Sequence, residues 1–146
     1  MKANFPYVGS AYLFLIRNDQ ILLQRRYKTG FEDGNYGVPA GHLEGNETAR
    51  EGCAREAKEE IGIDIIPADL SVVHIMHRKG TYDERIDFFM TPLLYKGEVR
   101  NCEPNKCDNL SWFGLSQLPD NMVDYKRVAI EAYRGWVVYS EFGWNK

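Results

Sequence analysis

Glu56, Glu59 and Glu60 crowd one short stretch, with Arg55 directly before them. In a helix, Glu56 faces Glu59 at i+3 and Glu60 at i+4. Like charges at those spacings destabilise a helix by roughly 0.2–0.5 kcal/mol per pair. Such crowding makes sense when a cation sits on it. A hard divalent ion such as Mg²⁺ takes oxygen ligands and serves phosphate chemistry. At 3.6 residues per turn the three carboxylates fall within an arc of roughly 100°. Carboxylates so placed can hold Mg²⁺, clamp a phosphoanhydride and orient an attacking water. Ala49, Cys53, Ala54, Ala57 and Ile61 fill the neighbouring arc and give the helix a small-residue face to bury.

That helix needs ends and a scaffold. Asn46 is the expected N-cap, Glu47 suits the first turn of the dipole, and Gly62 is placed to stop the helix as its C′ residue. Gly52 inside the helix either leaves room for a backbone or ligand or is a tolerated defect costing about 1 kcal/mol. Upstream, Tyr7 to Ile16 is rich in strand formers, Asn18-Asp19-Gln20 turns the chain, and Ile21 to Arg26 returns as a second strand. Tyr27 to Asn35 reads as a loop, and Gly37 to Ala40 as a short strand leading into a glycine-punctuated loop. Downstream, Leu70 to Arg78, Arg85 to Tyr95 and Leu110 to Leu115 read as strands. Val123 to Tyr139 has helical spacing through Val128, Ala129, Ala132, Tyr133 and Trp136. The layout is mixed α and β, in one domain over residues 1–146, with no repeat and no dividing linker.

The stretch from Gly41 to Ile63 resembles the signature of the Nudix hydrolases, G-x5-E-x7-R-E-U-x-E-E-x-G-U, where U is a bulky or aliphatic residue. Gly41, Glu47, Arg55, Glu56, Glu59, Glu60 and Gly62 fit without a gap, with Ala57 and Ile63 at the U positions. The resemblance implies an α/β fold: an α/β/α sandwich with a mixed central sheet and a catalytic loop-helix-loop. It implies Glu56 and Glu60 as principal metal ligands and Glu59 as a further ligand or the base. The carbonyl of Ala40 is implied as a backbone ligand. Arg55 would orient a glutamate, with Glu47 the candidate partner; both read as scaffold more than chemistry. An acid outside the signature often completes such sites, and Glu103 is the first candidate, with Asp108 and Glu84 behind it. The implied cofactor is Mg²⁺, with Mn²⁺ as the alternative.

Substrate contacts are candidates on position. Arg26 ends the second strand and Arg85 sits at the expected rim; each either reaches a phosphate or is solvated. Asn121 either touches a base or caps the last helix, the cap being favoured. Tyr36, Phe31 and Tyr82 either stack on a base or pack in loops. Trp136, Tyr139, Phe142 and Trp144 are expected to pack on the body or form a dimer contact. Marks of relatives acting on ADP-ribose, diadenosine polyphosphates or coenzyme A are missing; Lys79, for example, stands where a proline marks the first group. This favours cleavage of a nucleoside triphosphate, oxidised or not, to the monophosphate and pyrophosphate. A nucleotide sugar or ADP-ribose is the alternative substrate, and a non-catalytic nucleotide-binding module the alternative class.

Composition bounds these readings. The 146 residues are enough for a sizeable core, and 44% apolar with 27% charged residues is ordinary for a globular chain. No apolar run reaches the ~18 residues of a membrane span, and residues 1–6 lack a signal-peptide stretch. A cytoplasmic monomer or homodimer is expected. The net charge of −3 argues against a nucleic-acid polymer as partner and leaves a small phosphorylated ligand open. Cys53, Cys102 and Cys107 are expected as free thiols, and His74 and His77, an odd number apart, as residues on opposite faces of a strand.

Overall fold

The computed structural model describes residues 3–146. Its centre is a five-stranded mixed sheet, built from β1 (Val8–Leu13), β5 (Ala40–His42), β6 (Leu70–Lys79), β7 (Glu84–Pro92) and β9 (Tyr139–Phe142), in the order β5-β1-β7-β6-β9. β1 runs parallel to β7, and β6 parallel to β9; the other two pairings are antiparallel. A second sheet joins β2 (Ile16–Arg17), β3 (Gln20–Arg26) and β4 (Tyr36–Gly37), with β8 (Cys107–Gly114) paired to β3.

Alternation along the first strands divides the core in two. Tyr12, Phe14, Ile21 and Leu23 pack with Val123, Ala129 and Ile130 of the α2 region (α2, Asp124–Arg134). Ala11, Leu13, Leu15 and Leu22 pack with Cys53, Ala57 and Ile61 of α1 (Ala49–Ile61). Side chains of successive strand residues point to opposite faces, so two helices cover two faces, as a sandwich requires.

The single strand expected from Tyr7 to Ile16 is divided, because the chain changes sheet. The Phe14 amide donates to Met90 O in β7, whereas the next residue, Leu15, accepts from Leu22 in β3. The turn at Asn18-Asp19 is a tight hairpin, with both residues at positive φ (52° and 59°) and Arg17 paired to Gln20. His74 and His77 do face opposite ways: His74 is buried, hydrogen-bonded to Val137 O and Ser140 Oγ, while His77 lies between the rings of Tyr7 and Trp144.

The helical reading of Val123 to Tyr139 is corrected. The helix stops at Arg134, closed by Gly135, and Trp136 takes φ +60°. The apolar run Val137 to Tyr139, which fitted the helical period, instead leads into β9 on the free side of β6. Trp136 is 92% exposed and does not pack on the body; Trp144 does, donating its indole N–H to His77 O.

Candidate active site

The site is built around α1, and the sequence defines both ends of that helix. Its N-cap is Thr48, not Asn46. Thr48 and Glu51 form a reciprocal capping box, each side chain accepting from the other's backbone N–H. Asn46 instead takes φ +63° in the preceding turn. Gly62 closes the helix in the left-handed region at φ +76°, where a side chain would be strained. Gly52 makes room for the loop itself: a Cβ there would lie 2.5 Å from Leu43 and 2.9 Å from Glu47.

Arg55 ties the loop to the helix. Its guanidinium donates to both oxygens of Glu47, at 2.8 and 3.1 Å, to Glu56 Oε1 at 2.8 Å, and to the carbonyl of His42 at 3.2 Å. Paired in this way, the Glu47 carboxyl is held below its usual range, first by Arg55 and then by the Glu44 amide. Glu59 meets the same guanidinium only at 3.5 Å and keeps more than half of its side chain in solvent.

Glu60 is buried on the same face. Gln24 Nε2 reaches its Oε1 at 2.7 Å, and the Ala40 amide reaches its Oε2 at 3.1 Å. Burial pushes the Glu60 carboxyl well above the carboxylate range; Gln24 opposes the shift and Glu56 adds to it. Burial also raises Glu56, which Arg55 opposes, and each of the two carboxyls affects the other's proton affinity. Burial disfavours ionisation of both carboxyls, and Arg55 at Glu56 offsets it only in part. Glu103 adds negative potential at Glu60, and its own carboxylate lies 3.8 Å from Lys106. Asp108 and Glu84 are engaged elsewhere, with Arg25 at 2.7 Å and Lys79 at 3.0 Å.

A cleft of about 680 Å³ has Ala40, Gly41 and His42 in its wall; Glu56 and Glu60 lie against Gly41 and the Ala40 amide and are not themselves among its lining residues. That volume is in the range of small-molecule sites. Arg26 and Arg85 both line it. Arg26 is bound to Phe31 O and Thr29 Oγ1, and Arg85 to Asp83 and His42 Nε2. Phe31 and Tyr82 stand at the cleft, half and almost fully exposed; Tyr36 is buried under Phe113. Asn121 is neither the cap nor among the cleft-lining residues. Its amide donates to Gly34 O, its carbonyl accepts from Tyr36 N, and Val123 caps α2 without a side-chain bond.

The floor of the cleft was missed. Tyr12, Arg78, Asp87 and Tyr125 form one buried network: Arg78 donates to Asp87 at 2.6 Å and to Tyr12 Oη at 3.3 Å, and stacks 3.7 Å from the Tyr125 ring. Lys126 is 3% exposed beside them. A signal for it existed: Lys126 falls at helical spacing from Val123, Ala129 and Ile130, on the apolar face of α2. The cysteines are free, and burial beside Glu60 and Glu56 pushes the Cys53 thiol up to about 12.

A helix setting acidic side chains against a loop, beside a mixed sheet with a helix on each face, defines a class of domain, and comparison with known proteins gives its family. The chain belongs to the NUDIX domain family, whose model matches residues 6–133. It is similar to "Putative 8-oxo-dGTP diphosphatase 2" of Mycobacterium tuberculosis, at 30% identity over 84% of this chain and 80% of that protein. It also matches an NAD-capped RNA hydrolase, NudC, of Stutzerimonas stutzeri at 26% identity over 80% of this chain, and spans only 40% of that relative's length. Among solved structures, a MutT NUDIX hydrolase from Burkholderia pseudomallei superposes with TM-score 0.78 at 25% identity, covering 86% of this chain and 97% of that one. Nudix hydrolases generally use divalent metals.

Proposed function

We propose that the chain is a Mg²⁺-dependent pyrophosphohydrolase that cleaves a nucleoside triphosphate, ordinary or oxidised, to the monophosphate and pyrophosphate. The observation that carries this reading is that Glu56 lies against Gly41 and Glu60 against the Ala40 amide, at residues of the cleft wall. A Cβ at Gly41 would lie 2.0 Å from Glu56 Oε1, so the backbone there leaves a cradle that the carboxylate fills. Two neighbouring acidic side chains with raised proton affinity fit a hard cation; Glu56 and Glu60 would hold it, and the Ala40 carbonyl, Glu59 and Glu103 are the further ligands this reading assigns. When bound, Mg²⁺ supplies neutralisation of the phosphate oxygens and acidification of water.

The chain's own residues do the rest. Glu47 and Arg55 fix the loop against the helix, so the Gly41 backbone and the Glu56 carboxylate keep their separation. Glu59, solvated and loosely held, is placed to take the proton as the water oxygen attacks phosphorus and the bond to the leaving pyrophosphate breaks. Arg26 and Arg85 offer charge at the rim for phosphates.

The relatives' names support a diphosphate-linked substrate and extend the panel to dinucleotides. The test is incubation with Mg²⁺ and nucleoside triphosphates, oxidised nucleotides, nucleotide sugars, ADP-ribose and NAD, with Glu60→Gln as control. Monophosphate plus pyrophosphate, lost in the variant, is the expected result. AMP plus ribose 5-phosphate from ADP-ribose as the sole products would move the assignment to that substrate. Binding of nucleotide by the metal-loaded protein without cleavage would overturn catalysis.

A further inference from the structure

Lys126 carries a positive charge into the cleft floor and has nothing to spend it on. Its ammonium makes no hydrogen bond or ion pair among the described residues. It faces the rings of Tyr12 and Tyr125 at 5.6 and 5.8 Å, within cation–π range. Gly37 leaves it room on the other side, since a Cβ there would stand 2.8 Å from Nζ. A buried ammonium without an acceptor is costly, so the fold keeps it for something that arrives. In the same cleft, Ser10 Oγ is also buried and has no hydrogen-bond partner among the described residues.

The floor around these two groups offers donors. Lys126 donates only. Arg78 is likewise a donor, and the carboxylates around this floor are already engaged: Asp87 is fully covered and bound by Arg78 and Tyr12, Glu60 is held by Gln24 and the Ala40 amide, and Asp83 is paired with Arg85. A ligand edge presented here must therefore accept hydrogen bonds. The aromatic walls suit a flat ring, while the carboxylate helix at Ala40 and Gly41 marks where phosphates belong. We infer that Lys126 is a specificity-determining residue which selects nucleobases with a keto edge, guanine, uracil or thymine, over adenine. Lysine pairs with the O6 and N7 acceptors of guanine, whereas adenine sets an amino group beside N7 and would meet the ammonium donor to donor. The inference rests on the reading of the cleft as a nucleotide site.

The test separates the two claims. Guanosine, uridine, adenosine and inorganic tripolyphosphate are titrated into the whole protein without metal, followed by NMR. These nucleosides carry no phosphate, so the result does not depend on hydrolysis. Guanosine and uridine should bind about tenfold or more tighter than adenosine. Lys126→Met, which keeps the length and removes the buried charge, should erase that difference and leave tripolyphosphate affinity unchanged; Lys126→Arg should retain part of it. Equal binding of all three nucleosides, no binding of any, or a loss of tripolyphosphate affinity in Lys126→Met would overturn the inference, the last by making Lys126 a phosphate ligand. Base discrimination in a protein that cleaves nothing would instead overturn the hydrolase reading alone.

Discussion

Gly41 stands so close to Glu56 that any side chain at position 41 would occupy the carboxylate's place, 2.0 Å from Oε1. The backbone here is not in the left-handed region, so the demand for glycine is steric and comes from the site. Gly41→Ala should leave the fold intact while turning Glu56 away from the cleft. A misplacement of about 1 Å costs on the order of 10²-fold in rate. Activity at saturating Mg²⁺ should fall by about that factor with the melting temperature nearly unchanged; full activity would show that Glu56 does not act from this position.

Removing Glu60's charge should uncouple the metal from the fold. A cation that binds only the native state stabilises it by about 2.7 kcal/mol at a hundred times its dissociation constant. Wild-type protein should therefore melt several degrees higher in excess Mg²⁺ than in chelator. Glu60→Gln should show little of that rise, since amide and carboxylate are alike in shape but not in charge. Differential scanning calorimetry with and without EDTA reads the difference. An equal Mg²⁺ response in both proteins would place the metal elsewhere.

Arg55 and Glu47 form a two-point contact that lysine cannot reproduce, because the guanidinium fork meets both carboxylate oxygens. Hydrogen bonds to charged groups contribute about 1.5–3 kcal/mol each when they are shielded, and Arg55 is about three-quarters covered. Arg55→Lys should lower stability by about 1–2 kcal/mol, a value reduced for its partial exposure, and should also slow catalysis by loosening Glu56. Urea unfolding at constant m-value checks the first, and kcat the second.

How legible the chain was follows from these residues. The signature helix could be read because its constraints are local: spacing places the carboxylates, and Gly62 stops the helix. The capping box at Thr48-x-x-Glu51 was also readable, and Asn46 displaced it only because its type suited a cap. The last helix misled because Val137 to Tyr139 continues its apolar period; only pairing with β6, where Tyr139 meets Ile75 from far earlier in the chain, turns the segment from Tyr139 onward into a strand. Likewise, nothing local shows that Arg78 and Asp87, on neighbouring antiparallel strands, come together beneath Tyr12. Lys126 was not singled out, because a lysine is almost never fully buried without a partner, and its burial is what the structure turns into a candidate recognition group.

The Arg78–Asp87 pair is almost wholly buried. Breaking such a pair from one side leaves a stranded charge and costs about 3–5 kcal/mol, whereas replacing both partners by apolar residues is often neutral. Asp87→Ala should therefore destabilise severely, and Arg78→Met with Asp87→Leu should recover most of the loss. Chemical denaturation of the single and double variants decides it. Recovery would show that the pair serves the cleft's donor array more than the fold.

Lys126 gives a pH dependence whose direction can be worked out. Burial lowers its pKa to about 8; Arg26 and Arg78 push the same way, and Glu60 and Asp87 oppose them. Tyr12 and Tyr125, the rings facing it, are both raised by burial and stay neutral. An unfolded lysine titrates near 10.4. Between about pH 8 and that value the unfolded chain binds more protons at this position, so its contribution to stability rises with pH. Base recognition should run the other way, because the ammonium that donates to a keto oxygen is lost above about pH 8. Guanosine affinity in the wild-type protein should fall across that interval while the melting temperature, taken relative to Lys126→Met, rises. The variant should show a flat affinity profile. Parallel profiles in the two proteins would mean that the charge at Lys126 does not govern recognition.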